Sequence, residues 1–292
     1  MTRMLRDGLR CVRAANPGPL TGTGTNTWIV GTGSVAVIDP GPDDPQHMAR
    51  ILGALGPQEC VSHILVTHSH LDHSPLARPL AQATGAPVCA FGTSRAGRST
   101  VMETLAADGA LGGAEGVDHS FRPDITIADG AQLDVGAETL RALWTPGHLG
   151  NHLCFLWRGD AFSGDHVMGW ATTLVSPPDG DLTAFMSSLD RLEMAAPARL
   201  FPGHGDPVDP AIARIRALRE HRRTREAAIL QELSAGPRTI SQITAAVYHD
   251  TPPQLRRAAS RNVLAHLIDL QTRGHIRAGS GPLPDATFTR QP

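Results

Sequence analysis

His68-Ser69-His70-Leu71-Asp72-His73 sets three imidazoles and a carboxylate within six residues. Imidazole nitrogen and carboxylate oxygen together suit a borderline-soft divalent cation such as Zn²⁺. A histidine that only fills a core comes singly, so this density points to ligation. Three more stretches each offer one ligand in a Gly- or Pro-rich setting: Thr145-Pro146-Gly147-His148, Ser163-Gly164-Asp165 and Pro202-Gly203-His204-Gly205.

Such ligands need elements that deliver them to one place. Ile64-Leu65-Val66 reads as a buried strand running straight into the His/Asp stretch, and a Pro75-led helix follows through Thr84, so the stretch is a loop at a strand end. Upstream, 27–30 and 34–39 read as a hairpin around Gly31-Thr32-Gly33, with a turn at Pro40-Gly41-Pro42 and helical spacing of apolar residues over 44–55. Short strands are expected at 124–128, Glu138–Trp144, 152–157 and 161–164, placing His148, Asp165 and His204 after strands. The Gly-rich interval 109–116 reads as a mobile surface loop.

The first 205 residues thus read as two β-rich halves with helices outside, an α/β class. After Pro207 the character changes to helices over 209–234, 241–248 and 254–273, and Ile276, Gly279, Gly281 and Pro282 suggest a short β-wing. Helix, helix, helix and wing outline a winged-helix module. The boundary is expected near residue 208, giving domains 1–208 and 209–292, which the 292 residues with 41% hydrophobic content can fill.

The ligand set, its order and its Gly/Pro settings resemble the metallo-beta-lactamase superfamily over roughly residues 20 to 208. The resemblance implies an αββα sandwich and a metal-dependent hydrolase holding two Zn²⁺ ions, with other divalent transition metals as substitutes. Carried over, it gives His68, His70 and His148 to one metal, Asp72, His73 and His204 to the other, and Asp165 to both. Two cations so held share a water, lower its pKa toward about 7 and polarise the oxygen of the group it attacks. Flavo-diiron members carry Glu at the position of His70 and do redox chemistry, so imidazole there implies hydrolysis. Asp72 is also the catalytic candidate, orienting the hydroxide or passing a proton to the leaving group.

Asp39, in Val37-Ile38-Asp39-Pro40-Gly41, matches an aspartate that supports the ligand loop from behind; taken alone it reads equally well as a turn residue. His152 matches a histidine near the substrate in related proteins, with a purely structural role as the alternative. His166 reads as a structural neighbour, and His63, His221, His249, His266 and His275 receive no ligand role.

The phrase Ser163-Gly164-Asp165-His166-Val167-Met168-Gly169, the Pro178-Asp179-Gly180-Asp181 loop and the appended module are similar to the subgroup of lactamase-beta-like endoribonucleases and related bacterial hydrolases. That similarity implies attack on an ester-like bond, a phosphodiester of single-stranded RNA leading, with a thioester or lactone as the alternative. Lactonases of the fold usually carry a tyrosine beside the metals, whereas the lone Tyr248 lies in the C-terminal module. All 26 basic residues are Arg, so the Lys that often binds an antibiotic carboxylate is missing. The interval from Asp165 to His204 is too short for the inserted domain of beta-CASP nucleases.

After residue 200 the chain holds 13 Arg against eight acidic residues. Arg222, Arg223, Arg225, Arg256, Arg257 and Arg261 could approach RNA phosphates, although ordinary solvated helix faces explain them as well. A different class of protein, a winged-helix nucleic-acid-binding regulator with a vestigial metal site, is disfavoured by the complete ligand set. The four cysteines form no C-x-x-C pair, and neither a secretory leader nor a membrane span is apparent, so a cytoplasmic protein is expected, with room for a homodimer.

Overall fold

Successive side chains of a strand point to opposite faces, and Trp28-Ile29-Val30 obeys this: Trp28 and Val30 enter one buried cluster and Ile29 another. Val35, Ala36, Val37 and Ile38 alternate between the same two clusters. Such strands are buried on both faces and must lie between layers. The computed structural model describes residues 2–109, 111–112, 116–279 and 283–291.

The first sheet runs β1 (Thr2–Arg6), β2 (Leu9–Arg13), β3 (Asn26–Thr32), β4 (Ser34–Ile38), β5 (Cys60–Leu65), β6 (Val88–Ala90) and β7 (Ile125–Thr126), in that order. Its pairings are antiparallel as far as β4 and parallel from β4 to β7. The second sheet has the order β12-β11-β10-β9-β8, built from β8 (Gln132–Val135), β9 (Glu138–Trp144), β10 (Leu153–Trp157), β11 (Asp160–Gly164) and β12 (Leu200–Pro202). The sheets pack face to face, with Leu9, Trp28, Ile38 and Leu65 of the first against Leu140, Leu153, Phe155, Phe162 and Phe201 of the second. Truncating Phe155 to Ala in that layer would cost roughly 3–5 kcal/mol.

Helices cover both outer faces. On the first sheet lie α1 (Pro45–Gly53), capped by the Asp44 side chain, and α2 (Ala77–Thr84), which bury Ile51, Ala77 and Leu80. On the second lies α4 (Leu182–Met194), capped by Asp181, with Phe185, Leu189 and Leu192 inward. The expected α/β sandwich of helix, sheet, sheet and helix is therefore present. A further helix, α3 (Thr100–Asp108), is capped by Ser99.

The C-terminal part is the expected winged helix: α6 (Ile240–Val247), α7 (Arg256–Thr272) and a small sheet of β13 (Arg238–Thr239), β15 (Thr287–Arg290) and β14 (Ile276–Ala278). The antiparallel pair β14–β15 makes the wing. Gly281 and Pro282, expected in it, lie outside the described residues, as do 110 and 113–115 of the Gly-rich interval.

The 24 residues of α5 (Ala211–Ser234) join the two parts, spanning roughly 36 Å at 1.5 Å per residue. Ala211, Ile215 and Leu218 pack into the outer core of the second sheet, while Ile229 and Leu233 pack with Ile243, Val263, Leu267 and Phe288 of the winged helix. Ala265 of α7 enters the sandwich core too. One helix thus belongs to both cores and fixes the winged helix against the sandwich.

Candidate metal centre

Strand ends meet at one edge of the sandwich. Asp39 directly follows β4, and its backbone takes the left-handed φ of 51°. Its carboxylate accepts from the Thr67 amide at 2.7 Å, the Thr67 hydroxyl at 2.7 Å and His73 Nδ1 at 3.0 Å. Those partners lie 28 and 34 residues away, so Asp39 braces the ligand loop after β5; it is not merely a turn residue.

This brace selects a histidine tautomer. The Thr67 hydroxyl has one proton and gives it to Asp39, so toward His68 Nδ1, at 2.9 Å, it accepts. His68 therefore carries its proton on Nδ1 and leaves Nε2 as a bare lone pair. His73 donates Nδ1–H to Asp39, and His148 donates Nδ1–H to the Leu174 carbonyl at 2.7 Å. His204 Nδ1 faces the Gly24 carbonyl at 3.4 Å. In each case Nε2 points into the same small volume.

The nitrogens crowd there. His70 Nδ1 lies 3.0 Å from His68 Nε2 and 3.1 Å from His148 Nε2. His204 Nε2 lies 3.1 Å from Asp72 Oδ2 and 3.3 Å from His73 Nε2. The Asp165 carboxylate reaches both groups, 3.3 Å from His204, 3.6 Å from His73 and 3.8 Å from His148. His68, His70 and His148 form one set with ligand atoms within 4.8 Å of one another, Asp72, His73 and His204 a second, and His68, His73 and Asp165 a third. Nitrogen and oxygen atoms converging so closely fit a shared cation, and the donor types suit Zn²⁺.

The glycines beside the ligands are required by this crowding. A Cβ on Gly203 would stand 2.4 Å from Asp165 Oδ1 and 2.7 Å from His73 Cε1, and one on Gly164 2.7 Å from His152 Nε2. Neither position has room for a side chain.

The two sets differ electrically. Burial outweighs all else for His68, His70 and His148 and lowers their pKa values, that of His70 to about 3. Burial also opposes the charged form of His73 and His204, yet the surrounding carboxylates win: Asp72, Asp165 and Asp39 hold His73 well above its ordinary value, and Asp165 with Asp72 raises His204 to about 9. Against the upward push of burial, His73 and His204 keep Asp72 and Asp165 well below the usual carboxylate range.

All seven ligand candidates from the sequence, His68, His70, Asp72, His73, His148, Asp165 and His204, come together. His152 is fully buried and stacks on His68 with ring centroids 5.2 Å apart, Nδ1 facing Thr145 Oγ1 at 2.9 Å; it backs a ligand and stays off the cavity wall. His166 is buried against Phe185. Of the five histidines given no role, His221 alone reaches the cavity beside the site, among the described residues. Reasoning from sequence missed Thr25, whose hydroxyl lies 3.3 Å from Asp72 Oδ2, and Asn26, which ties the His204 loop through the Pro202 and Gly205 carbonyls. It also missed Thr67 and Leu174. The signal for Thr67 was its place between strand and ligand; for Leu174 there was none.

A cavity of about 660 Å³ opens onto His70, Asp72, His148, Asp165 and His204. Leu20, Met168, Trp170 and Leu174 form its walls on the sandwich side, and Tyr248, Leu255, Ala258 and Ala259 form the roof from the winged helix.

Residues 20–204 match the model of the metallo-beta-lactamase superfamily, and residues 239–281 that of the beta-lactamase associated winged helix domain. The chain is 31% identical to the beta-lactamase-like protein 2 homolog of Drosophila melanogaster over 288 residues, which is 95% of this chain and 92% of that one. The crystal structure of a metallo-beta-lactamase family protein from Thermus thermophilus superposes with a TM-score of 0.78 at 26% identity, covering 99% of this chain and all of that one. TTHA1623, solved in a di-iron-bound form, matches with a TM-score of 0.51 at 27% identity, covering 68% of this chain and 94% of its own. The chain belongs to the metallo-beta-lactamase superfamily, as a metal-dependent hydrolase with a C-terminal winged helix.

Proposed function

We propose that the protein is a dinuclear zinc hydrolase acting on an ester or thioester whose acyl part is apolar. His68, His70 and His148 would hold one ion, Asp72, His73 and His204 the other, and Asp165 both. The convergence of these atoms supports two ions, as does the di-iron form of one relative. Bound there, the ions supply Lewis acidity and a water acidified toward neutrality.

The chain's own residues then position and enclose. Asp72 faces the cavity with its carboxylate ionised, and Thr25 and His204 orient it; it is the candidate to align the attacking water and carry a proton toward the leaving group. Leu20, Met168, Trp170, Leu174 and Leu255 would hold the acyl part and exclude water, strengthening every charge interaction at the site. The division near residue 208 remains part of this proposal, the part beyond it acting as the cavity's roof.

The apolar lining of the cavity carries the choice of substrate class. A phosphodiester of single-stranded RNA would call for a track of free cations; of the six arginines considered for that task only Arg225 lines the cavity, and it and two others already hold partners. Arg222 is buried, Arg225 donates to the Val247 carbonyl at 2.7 Å and lies over the Tyr248 ring, and Arg261 binds Ser176 Oγ and the Pro177 carbonyl. Nor does α7 suit groove reading, since every residue from Asn262 to Leu270 is buried.

The test is turnover of a panel holding acyl thioesters of increasing chain length, a lactone, a cephalosporin and a single-stranded RNA. Thioesters with apolar chains should give the largest kcat/KM. RNA cleavage outrunning every thioester would overturn the reading.

A further inference from the structure

Burying a guanidinium without a carboxylate partner is costly, and Arg222 is such a case. It is 2% exposed, and burial pulls its pKa down to about 10; no ion pair holds it among the described residues. Two of its nitrogens are used: Nη1 donates to Asn262 Oδ1 at 3.0 Å and Nη2 to the Thr173 carbonyl. Asn262, on α7, accepts a second hydrogen bond from the Val175 amide at 3.1 Å. Both groups facing that oxygen are donors, which fixes the amide's orientation.

The segment 173–175 held in this way touches the metal centre directly. The Thr173 hydroxyl lies 2.7 Å from the Asp165 carbonyl and donates to it, and the Leu174 carbonyl accepts Nδ1–H of His148. Arg261 extends the clamp to Ser176 and Pro177. On the opposite side of the site the support is different, because Asp39 and Thr67 brace His68 and His73 from within the first sheet.

We infer that Asn262 and Arg222 are positioning residues for the metal centre: through segment 173–175 the winged helix sets His148 and Asp165, and with them the affinity of the site formed by His68, His70 and His148. The ligands of the second site other than Asp165 are braced without its help. The winged helix is thus an outer support of the ligand shell as well as a roof. This inference rests on the reading of those residues as ligands.

The experiment is chelator competition on zinc-loaded full-length protein, following metal release and folding together. Asn262→Ala should weaken the ion of the His68, His70 and His148 site by about 10–100-fold, the usual range when a support of a ligand is lost, and the other ion, which shares only Asp165 with the clamp, far less. Arg222→Met should do the same. Asn262→Asp, which keeps the acceptor oxygen, should restore much of the affinity. Leu270→Ala, a packing control buried in the C-terminal core, should lower Tm without splitting the two phases.

If the unaltered protein binds two ions and Asn262→Ala releases both as it does, or loses both together in proportion to Tm as Leu270→Ala does, the inference is overturned. An unaltered protein that takes up fewer than two ions overturns the dinuclear reading and this inference with it.

Discussion

The two triads of the metal centre lie side by side yet differ in what they hold without metal. His68, His70 and His148 are pressed toward neutrality by burial, whereas His73 and His204 sit among Asp39, Asp72 and Asp165 and keep their protons, His204 up to about pH 9. A cation entering the first triad finds lone pairs ready. One entering the second must expel protons, and in return gains a carboxylate as ligand. On the proposed dinuclear reading, similar ligand types placed against different neighbours would therefore make two unequal sites.

The largest effect should come from the carboxylate that distinguishes the second triad. Asp72→Asn should leave the fold intact and lower kcat by about 10²–10⁴-fold, the range for a positioned proton carrier, as steady-state kinetics at verified metal content would show. Near-normal turnover at full loading would mean that Asp72 serves only as a ligand.

Asp39→Asn should blur the distinction between triads, since this carboxylate fixes His73 directly and His68 through Thr67. Affinity for both ions should fall, by roughly 10–100-fold each, as chelator titration can measure. That outcome contrasts with Asn262→Ala, which should act chiefly on one site.

Acidity should sharpen the comparison. Proton and cation compete for the same lone pairs, so affinity at the second triad should rise with pH until His204 gives up its proton near pH 9. The lowered pKa values of the first triad leave its affinity nearly level around neutrality. Metal retention in buffers from pH 6 to about pH 9 should thus show one ion lost well before the other. Equal losses would contradict the asymmetry.

A smaller effect belongs to the cavity. Trp170, 46% exposed on its wall, packs over Gly205 and reaches none of the seven ligand candidates by hydrogen bond; Trp170→Ala should raise KM for long-chain thioesters several-fold, by removing apolar contact, with metal content and short-chain turnover little changed.

How much of this was legible follows from distance along the chain. His68, His70, Asp72 and His73 share one loop, and Gly164 and Gly203 advertise their neighbours because only a missing Cβ lets the backbone approach. The apolar runs in 27–38 marked a hairpin for the same local reason, whereas the sandwich followed from the family resemblance. The supports are not local: Thr67 meets Asp39 across 28 residues, and Asn262 meets Val175 across 87. An isolated Asn in an apolar helix carries no mark of that task. The hairpin β1–β2 escaped notice because arginines interrupt its alternation, Arg10 pairing with Glu59 and Arg6 lying over Trp157. Helices α3 and α4, capped by Ser99 and Asp181, lie in stretches to which the sequence reading assigned no element.

The most direct test of the unequal dinuclear centre is calorimetric titration of zinc into metal-free protein at pH 7, repeated in buffers of different ionisation enthalpy to count protons. Two binding events per chain are expected, one releasing almost no protons and the other releasing about two, from His73 and His204. A single event, or two events with equal proton release, would contradict the account.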